Sequence, residues 1–490
     1  MVPLGVPALA LLACASLLLL LLLWSGQGRN GTRPPGPAPL PLLGNLLQID
    51  VRNLAASFQK LQEKYGPVFM LQLGSQQILV LSGYEAVKEA LVDHAEAFGA
   101  RGPVQISREY GVVATNGERW KQLRRFSIST LRNLGMGKRS IEERIQEEAR
   151  CLVAALHKTE GHPFDPTRQL SHTVSNVICS VVFGHRFEYD DKAFIDLLSL
   201  LRKTIQLVLS PWAQLRTFFP GLMKVLPGPH HKMSSYVNQF LGVMAEEIQR
   251  HRESLDPNCP RDFIDCFLIK MEQEGENLAS EFHQKNLTVT ILNLFIAGTE
   301  TVSTTLRYGL LLLLRYPDIE AKVQEEIDRV VGKNRSPCME DRNQMPFTAA
   351  VVHEIQRFAD VVPLGLPHFV TADTEFRGFT IPQGTVVFPF LSSVLNSPQH
   401  FETPKKFNPG HFLDENGAFK KSEAFLPFSA GKRVCLGEGL ARMELFLFLT
   451  TLLQNFRLKT LQDRKEIDIS PEMYSGGKRP RPYQLCVVPR

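Results

Sequence analysis

Hydrophobic and polar positions divide the chain into a short apolar head and a long, mostly helical body. Val2 to Trp24 is an uncharged, leucine-rich run, long enough to cross a bilayer as one helix. Residues 1–28 are therefore expected to form a membrane signal-anchor. Basic residues come only after the run, at Arg29 and Arg33, so the positive-inside rule puts the N-terminus outside and the bulk of the chain in the cytosol. A cleaved signal peptide would need a basic leader and a shorter apolar stretch, yet Ala13-Cys14-Ala15 is followed by still more leucines. In this orientation the Asn30-Gly31-Thr32 sequon is not expected to be glycosylated.

Residues 29–45 contain Arg33-Pro34-Pro35-Gly36-Pro37-Ala38-Pro39-Leu40-Pro41. Repeated proline forms neither helix nor interior strand and favours a semi-rigid extended spacer, so a hinge is expected here. Beyond it, Val68 to Leu73 and Gln77 to Leu81 are rich in strand formers and flank a Gly74-Ser75 turn, which predicts a β-hairpin. A short helix follows, with Val87, Ala90 and Leu91 on one face. From about Asn116 to Phe456 helical patterns dominate, broken by proline-bearing loops at Leu226 to Pro229 and Asp256 to Pro260. Strand signal returns at Thr371 to Phe390, with Pro382-Gln383-Gly384 at the turn, and near Tyr483 to Val488. The expected fold class is mainly α with a minor β region.

Composition refines this picture in three ways. The length of 490 residues would allow about three domains, but no long linker, repeat or low-complexity tract divides residues 46–490, so one large domain is expected. A formal charge of +5 is too small to argue for nucleic acid. The eight cysteines show no C-x-x-C pair and no regular spacing, which indicates neither a disulfide framework nor a zinc site and fits a reducing compartment.

The densest chemical signal is Phe428-Ser429-Ala430-Gly431-Lys432-Arg433-Val434-Cys435-Leu436-Gly437. It reads as a pocket for a metal cofactor held by one thiolate, Cys435. Gly431 permits a tight loop and Gly437 a close approach of backbone to a flat macrocycle, because neither carries a Cβ. Arg433 suits an acidic edge of the cofactor, and Phe428 can shield the sulfur. A second signal lies within the apolar helix predicted over Leu287 to Leu314, which carries Ala297-Gly298-Thr299-Glu300-Thr301 at its centre. Asn293, Ala297 and Thr301 are four apart and share a face. On it, Ala297 and Gly298 leave room for a flat ring and a diatomic molecule. A threonine here can also bond back to the preceding turn and open the helix. Asn293 either orients a polar atom of a substrate or is a satisfied core amide. Trp120 and Arg124, on a helix expected to begin near Glu118, present an indole N–H and a guanidinium on one face.

At these residues the chain resembles the cytochrome P-450 superfamily, and Phe425 to Gly431 look like its vertebrate microsomal family-2 members. The resemblance implies haem b with Cys435 as the axial thiolate, an arrangement that favours oxygen–oxygen bond cleavage. It implies an acid-alcohol pair in which Thr301 holds oxygen and Glu300 relays protons, and propionate contacts from Arg101, Trp120, Arg124, His368 and Arg433. It matches Glu354-Ile355-Gln356-Arg357 to a structural ion pair, with His411 standing where many relatives have arginine. Asn293, Ala297, Val362 and Leu366 become candidate substrate contacts.

The implied activity is insertion of one atom of O2 into a small or medium apolar molecule, a xenobiotic, steroid or fatty acid. Electrons would come from NADPH through NADPH-cytochrome reductase, with cytochrome b5 as an optional second donor; this chain has no G-x-G-x-x-G fingerprint of its own. Lys121, Arg125, Arg132, Lys138 and Arg139, with Lys420, Lys421, Lys432 and Arg442, would form a basic face that steers an acidic partner. The implied location is the endoplasmic reticulum membrane, single-pass, with a luminal N-terminus and a cytosolic catalytic domain. Two other readings remain: a haem-thiolate isomerase or dehydratase, against which the retained Glu300 and Thr301 argue, and a non-catalytic haem sensor or carrier.

Overall fold

A computed structural model describes residues 32–102, 109–136, 139–208, 210–474 and 477–490, with the pair 15–16 in addition. The predicted anchor over 1–28 lies outside the described residues apart from that pair, as does Lys138.

The longer helices are α1 (Leu54–Tyr65), α2 (Gly117–Asn133), α3 (Arg139–His157), α4 (Thr167–Val182), α5 (Lys192–Val208), α6 (Lys232–Glu253), α7 (Phe263–Gln273), α8 (Gln284–Arg315), α9 (Pro317–Val330), α10 (Pro346–Ala359) and α11 (Glu438–Asn455). The strands are β1 (Val68–Leu73), β2 (Gln76–Ser82), β3 (Ala100–Arg101), β4 (His368–Phe369), β5 (Thr374–Phe376), β6 (Phe379–Ile381), β7 (Val386–Phe390), β8 (Phe456–Lys459), β9 (Pro471–Tyr474), β10 (Gly477–Pro480) and β11 (Cys486–Pro489). The mainly helical class with a minor β part is as the pattern predicts.

The largest sheet among the described residues has five strands, ordered β1-β2-β7-β4-β3. The predicted hairpin is its first pair, in register from Val68↔Leu81 to Leu73↔Gln76. β2 then pairs in parallel with β7, more than 300 residues later. Both faces of β2 are covered, which explains its unbroken apolar run: Ile78 and Val80 pack with Phe58 of α1 and Phe388, while Leu79 and Leu81 pack with Val87, Val387 and Leu391 on the other side.

Residues 32–39 of the proline-rich stretch form neither helix nor strand, as expected, but the segment turns back at 41–43 and is docked. The Met70 N–H donates to Pro35 O at 2.9 Å, and Asn45 Oδ1 accepts from the Gln72 N–H at 2.8 Å. A Cβ on Gly36 would sit 2.0 Å from Met70 O, so glycine is what lets the segment lie against β1.

The remaining helices bury one large core with α8 at its centre. α8 is long and apolar enough to cross a membrane, yet 67% of its apolar window is buried by its neighbours, so it reads as a core helix. His283 caps its first turn by accepting from the Asn286 N–H. α4 runs antiparallel to α8, with the Ser175 hydroxyl donating to Thr299 Oγ1 at 3.2 Å.

Candidate haem-thiolate site

The loop before α11 is shaped by Gly431. Its φ is +71°, and a Cβ there would lie 1.8 Å from Leu91 O, so any other residue would drive the loop off the helical turn Glu89–Asp93. The loop closes through the Cys435 N–H, which donates to Phe428 O at 3.0 Å. Cys435 sits two residues before the N-cap end of α11, where the helix dipole favours a thiolate. Burial raises the thiol pKa above its ordinary value, a shift that the backbone N–H groups of Gly437 and Glu438 and the Arg124 charge offset only in part. The sulfur side chain nevertheless presents exposed surface, as does Ala297 in the middle of the core helix α8. Both therefore face open space inside the protein. A Cβ on Gly437 would meet nothing within 4 Å, so this glycine answers no demand of the protein itself and leaves a flat surface beside Cys435.

Around this loop the structure gathers the predicted cationic residues from four separate stretches. Arg101 and His368 are cross-strand partners in the β3–β4 pair. Arg124 Nη2 donates to Val434 O at 2.6 Å. The Arg433 guanidinium lies 3.9 Å over the Trp120 ring, with Nε donating to Gly99 O and Nη2 to Thr115 O and Asn116 Oδ1. Burial, reinforced by the other guanidiniums nearby, pushes Arg101 and Arg433 down to about 9; Arg124 moves the same way through burial. All three stay charged at neutral pH, so the direction signals positive charge that no carboxylate in this cluster compensates.

Three buried nitrogens complete the argument: Trp120 Nε1, His368 Nε2 and Arg433 Nη1 have no hydrogen-bond partner. Orphaned buried polar atoms are rare and call for an explanation. His368 Nδ1 lies 2.7 Å from Phe98 O and so carries its proton there; burial and Arg101 depress this ring to about 3. An anion arriving at Nε2 would reverse that and make it a donor. The donor set fits a dianionic ring edge, and a haem with its two propionates is the group these residues suit.

On α8 the Thr301 hydroxyl donates back to Ala297 O at 2.6 Å, the local opening anticipated from sequence. Gly298 has a different job from the one its size suggested. It faces α4, where a Cβ would meet Ile178 Cδ1 at 2.5 Å, so it serves helix packing and leaves Ala297 alone to make room for a ring. Glu300, one position from Thr301 and therefore about 100° around the helix, lines a cleft of about 830 Å³ bounded by α4, α5 and α8; Thr304 Oγ1 is 3.4 Å from its carboxylate. The pair is thus adjacent in sequence but divided between two faces of α8.

The candidate substrate residues are less uniform. Asn293 Oδ1 accepts from the Val113 N–H at 3.2 Å, which ties the loop before α2 to α8 and satisfies the core-amide reading for that oxygen. Val362 is half-buried, whereas Leu366 is 46% exposed and its carbonyl accepts from Arg101 Nη1 at 2.7 Å. The Leu366 backbone thus belongs to the Arg101 clamp, and its side chain presents open surface, as Cys435 and Ala297 do.

The structural ion pair is fully buried and fully satisfied. Glu354 grips Arg357 through two bonds of 2.7 Å and also accepts from the Asn408 N–H. The Arg357 fork continues to the carbonyls of Leu395, Pro404 and Lys406. His411 Nδ1 lies 3.2 Å from Glu354, while its Nε2 accepts from the Thr403 N–H, which fixes the tautomer with the proton toward Glu354.

Sequence reasoning missed Asn116. It stands at the N-cap of α2 but spends its side chain elsewhere: Oδ1 accepts from the Arg101 N–H and from Arg433, and Nδ2 donates to Arg101 O. Its position before Gly-Glu-Arg-Trp was a capping signal; the long-range clamp had none. On the basic face, Lys121, Arg139, Lys432 and Arg442 are paired with Glu118, Glu143, Glu96 and Glu438, while Arg125, Arg132, Lys420 and Lys421 have no carboxylate partner among the described residues.

Comparison with known proteins agrees with this geometry. The family model described as Cytochrome P450 matches residues 34–487. The chain is 56% identical over 482 residues to Cytochrome P450 2C29 of Mus musculus, covering 98% of each chain. It is 54% identical over 487 residues to Cytochrome P450 2C8 of Homo sapiens and 52% identical over 491 residues to Cytochrome P450 2C23 of Rattus norvegicus, with 99% of each chain covered in both cases. The chain belongs to the cytochrome P450 family and is a haem-thiolate monooxygenase.

Proposed function

We propose that this protein oxidises small or medium apolar molecules, among xenobiotics, steroids and fatty acids, as a membrane-anchored enzyme of the endoplasmic reticulum. The observation that carries the reading is the convergence of Trp120 Nε1, His368 Nε2 and Arg433 Nη1, buried and unpartnered, on the same side of the fold as the Cys435 loop. When bound, the haem supplies the oxygen-activating chemistry. Cys435 would hold it by the thiolate, and Arg101, Trp120, Arg124, His368 and Arg433 would hold its acidic edge.

The residues around the cofactor have separate duties. Ala297 leaves space on the substrate side, and the Thr301 hydroxyl positions oxygen by a hydrogen bond. Glu300 relays protons from the cleft behind α8. Asn293 directs its amide nitrogen to a polar atom of the substrate, and Val362 contributes apolar surface. Glu354, Arg357 and His411 hold the frame. Electrons come from NADPH through a reductase that docks on the face carrying Arg125, Arg132, Lys420 and Lys421; cytochrome b5 uses the same face. Residues 1–28 span the membrane once with a luminal N-terminus, residues 29–45 form the hinge, and residues 46–490 are the cytosolic catalytic domain.

The test is the carbon-monoxide difference spectrum of the dithionite-reduced protein, followed by NADPH consumption with added reductase. A strongly red-shifted Soret band, lost in Cys435→Ala, supports thiolate ligation. Substrate-stimulated, reductase-dependent NADPH consumption supports the monooxygenase; peroxide rearrangement without O2 or a donor would favour an isomerase instead. A red-shifted band with no turnover on any apolar substrate would sink the oxidative reading.

A further inference from the structure

The cleft behind α8 has a chemical character that proton relay does not require. Its lining includes five arginines, Arg52, Arg168, Arg202, Arg307 and Arg479, against two carboxylates, Asp165 and Glu300. Asp165 is already engaged, accepting from the Thr167 N–H and hydroxyl, and Arg479 is paired with Glu472. Arg52, Arg168, Arg202 and Arg307 make no ion pair among the described residues, although the Arg307 charge is near enough to help hold the Glu472 carboxyl down.

Two of the polar groups are deep. Arg307 is only 8% exposed and its Nε is buried with no partner. His172 is 7% exposed; its ring meets Tyr189 and Phe194 edge-on, and neither ring nitrogen has a hydrogen-bond partner among the described residues. Burial and the nearby Arg168 depress His172 to about 4, so at neutral pH it offers one N–H. The antiparallel pairing of α4 and α8, fixed by Ser175 against Thr299 and Ile178 against Gly298, places Arg168 opposite Arg307 two turns further on. Arg168 and Arg307 line the cleft from facing helices, and with five guanidiniums against two carboxylates the lining is short of negative charge. α5 supplies the other wall with Leu198, Leu201 and Ile205, which would suit an aliphatic tail.

We infer that this cleft is a binding site for a small oxyanion, a carboxylate or phosphate group, gripped by Arg307 and His172 with Arg168 and Arg202 at the mouth. It is separate from the haem side of α8, which carries Ala297 and Thr301. The geometry serves a free inorganic ion and an organic acid alike, and the two are told apart by their relative affinity.

Inorganic phosphate and hexanoate are titrated into the full-length holoenzyme by calorimetry at fixed ionic strength, with the Soret band recorded in parallel. Saturable binding without a Soret change is expected, weakened about tenfold in Arg307→Gln, the scale for losing one charge-assisted hydrogen bond. Tighter phosphate identifies a free ion; tighter hexanoate identifies an organic acid with its tail against α5. Should Arg307→Gln fail to fold, Arg168→Gln at the exposed mouth gives the same readout with a several-fold loss. Absence of saturable binding of both probes overturns the inference, as does binding that neither substitution weakens or that always accompanies a Soret shift.

Discussion

Arg101 and His368 stand directly opposite each other across the β3–β4 pair, although 267 positions separate them in the chain. The strand register turns two weak sequence signals into one feature. Arg101 Nη1 holds the carbonyls of Leu366 and Pro367, and the His368 ring is fixed by Phe98 O, so each keeps the other's strand in place. His368→Phe should therefore keep the strand pairing yet lose a contact to the cofactor. Haem retained per mole of protein, measured as the pyridine haemochrome, is expected to fall, with dissociation about tenfold faster for one lost charge-assisted bond. Arg101→Gln should lose more, because it also releases the 366–367 turn. Equal haem content in both variants and wild type would remove these residues from the cofactor grip.

Glu354 neutralises a guanidinium that has no access to water. Its loss in Glu354→Ala would leave Arg357 charged and buried beside an unpaired Asn408 N–H and His411, a change of the kind that costs about 3–5 kcal/mol. The expected outcome is no haem incorporation and poor yield of folded protein. Glu354→Gln, which keeps the shape and one acceptor, should be intermediate. Normal haem content in the alanine variant would contradict the structural role given to this pair.

The parts of the fold legible in sequence were those written locally. The β1–β2 hairpin, α8 and the Cys435 loop announce themselves through residues within a few positions of one another, and the structure differs from the expected bounds by only a few residues. The parallel pairing of β2 with β7 and the Asn116 clamp join stretches hundreds of residues apart, and no local pattern encodes them. Gly298 shows the same limit at a single position. Its small size was legible, but the neighbour that demands it, Ile178, comes from another helix. The docked hinge is a third case, since proline content reports stiffness and not where the stiff segment lies.

Gly431 and Gly437 belong to one motif but are glycine for different reasons. Gly431→Ala meets Leu91 O and a positive φ, so it should destabilise the fold with or without haem. Gly437→Ala meets no protein atom, so the apo fold should be unchanged while haem binding weakens. Thermal unfolding of apo and holo forms separates the two. Equal losses in apo stability would mean that Gly437 also answers a packing demand.

On the face proposed for the electron donor, Arg132 and Arg442 should behave differently. Arg132 is exposed and has no carboxylate partner among the described residues, whereas Arg442 bonds Glu438 and His353 Nε2. Arg132→Glu should raise the KM for reductase several-fold at low salt, and the difference should shrink as ionic strength rises, because the interaction is long-range and screened. Arg442→Gln should instead lower the unfolding temperature. A salt-independent effect of Arg132→Glu would argue against electrostatic steering.

Acid should weaken the fold through buried neutral histidines. Burial, with Arg442 nearby, depresses His353 to about 3, and burial with Arg168 depresses His172 to about 4. In the unfolded chain both rings titrate near 6.5. The unfolded state therefore binds more protons between those values and 6.5, and stability present above about pH 6.5 is lost as pH falls toward 4 and then 3. Between pH 7 and 5.5 the loss should be about 1 kcal/mol per histidine. Urea unfolding of the holoenzyme across this range measures it, and His353→Phe, which cannot bind a proton, should flatten part of the slope. A stability curve that rises on acidification from pH 7 to 5.5 would mean that other groups, gaining protons in the native state, outweigh these two.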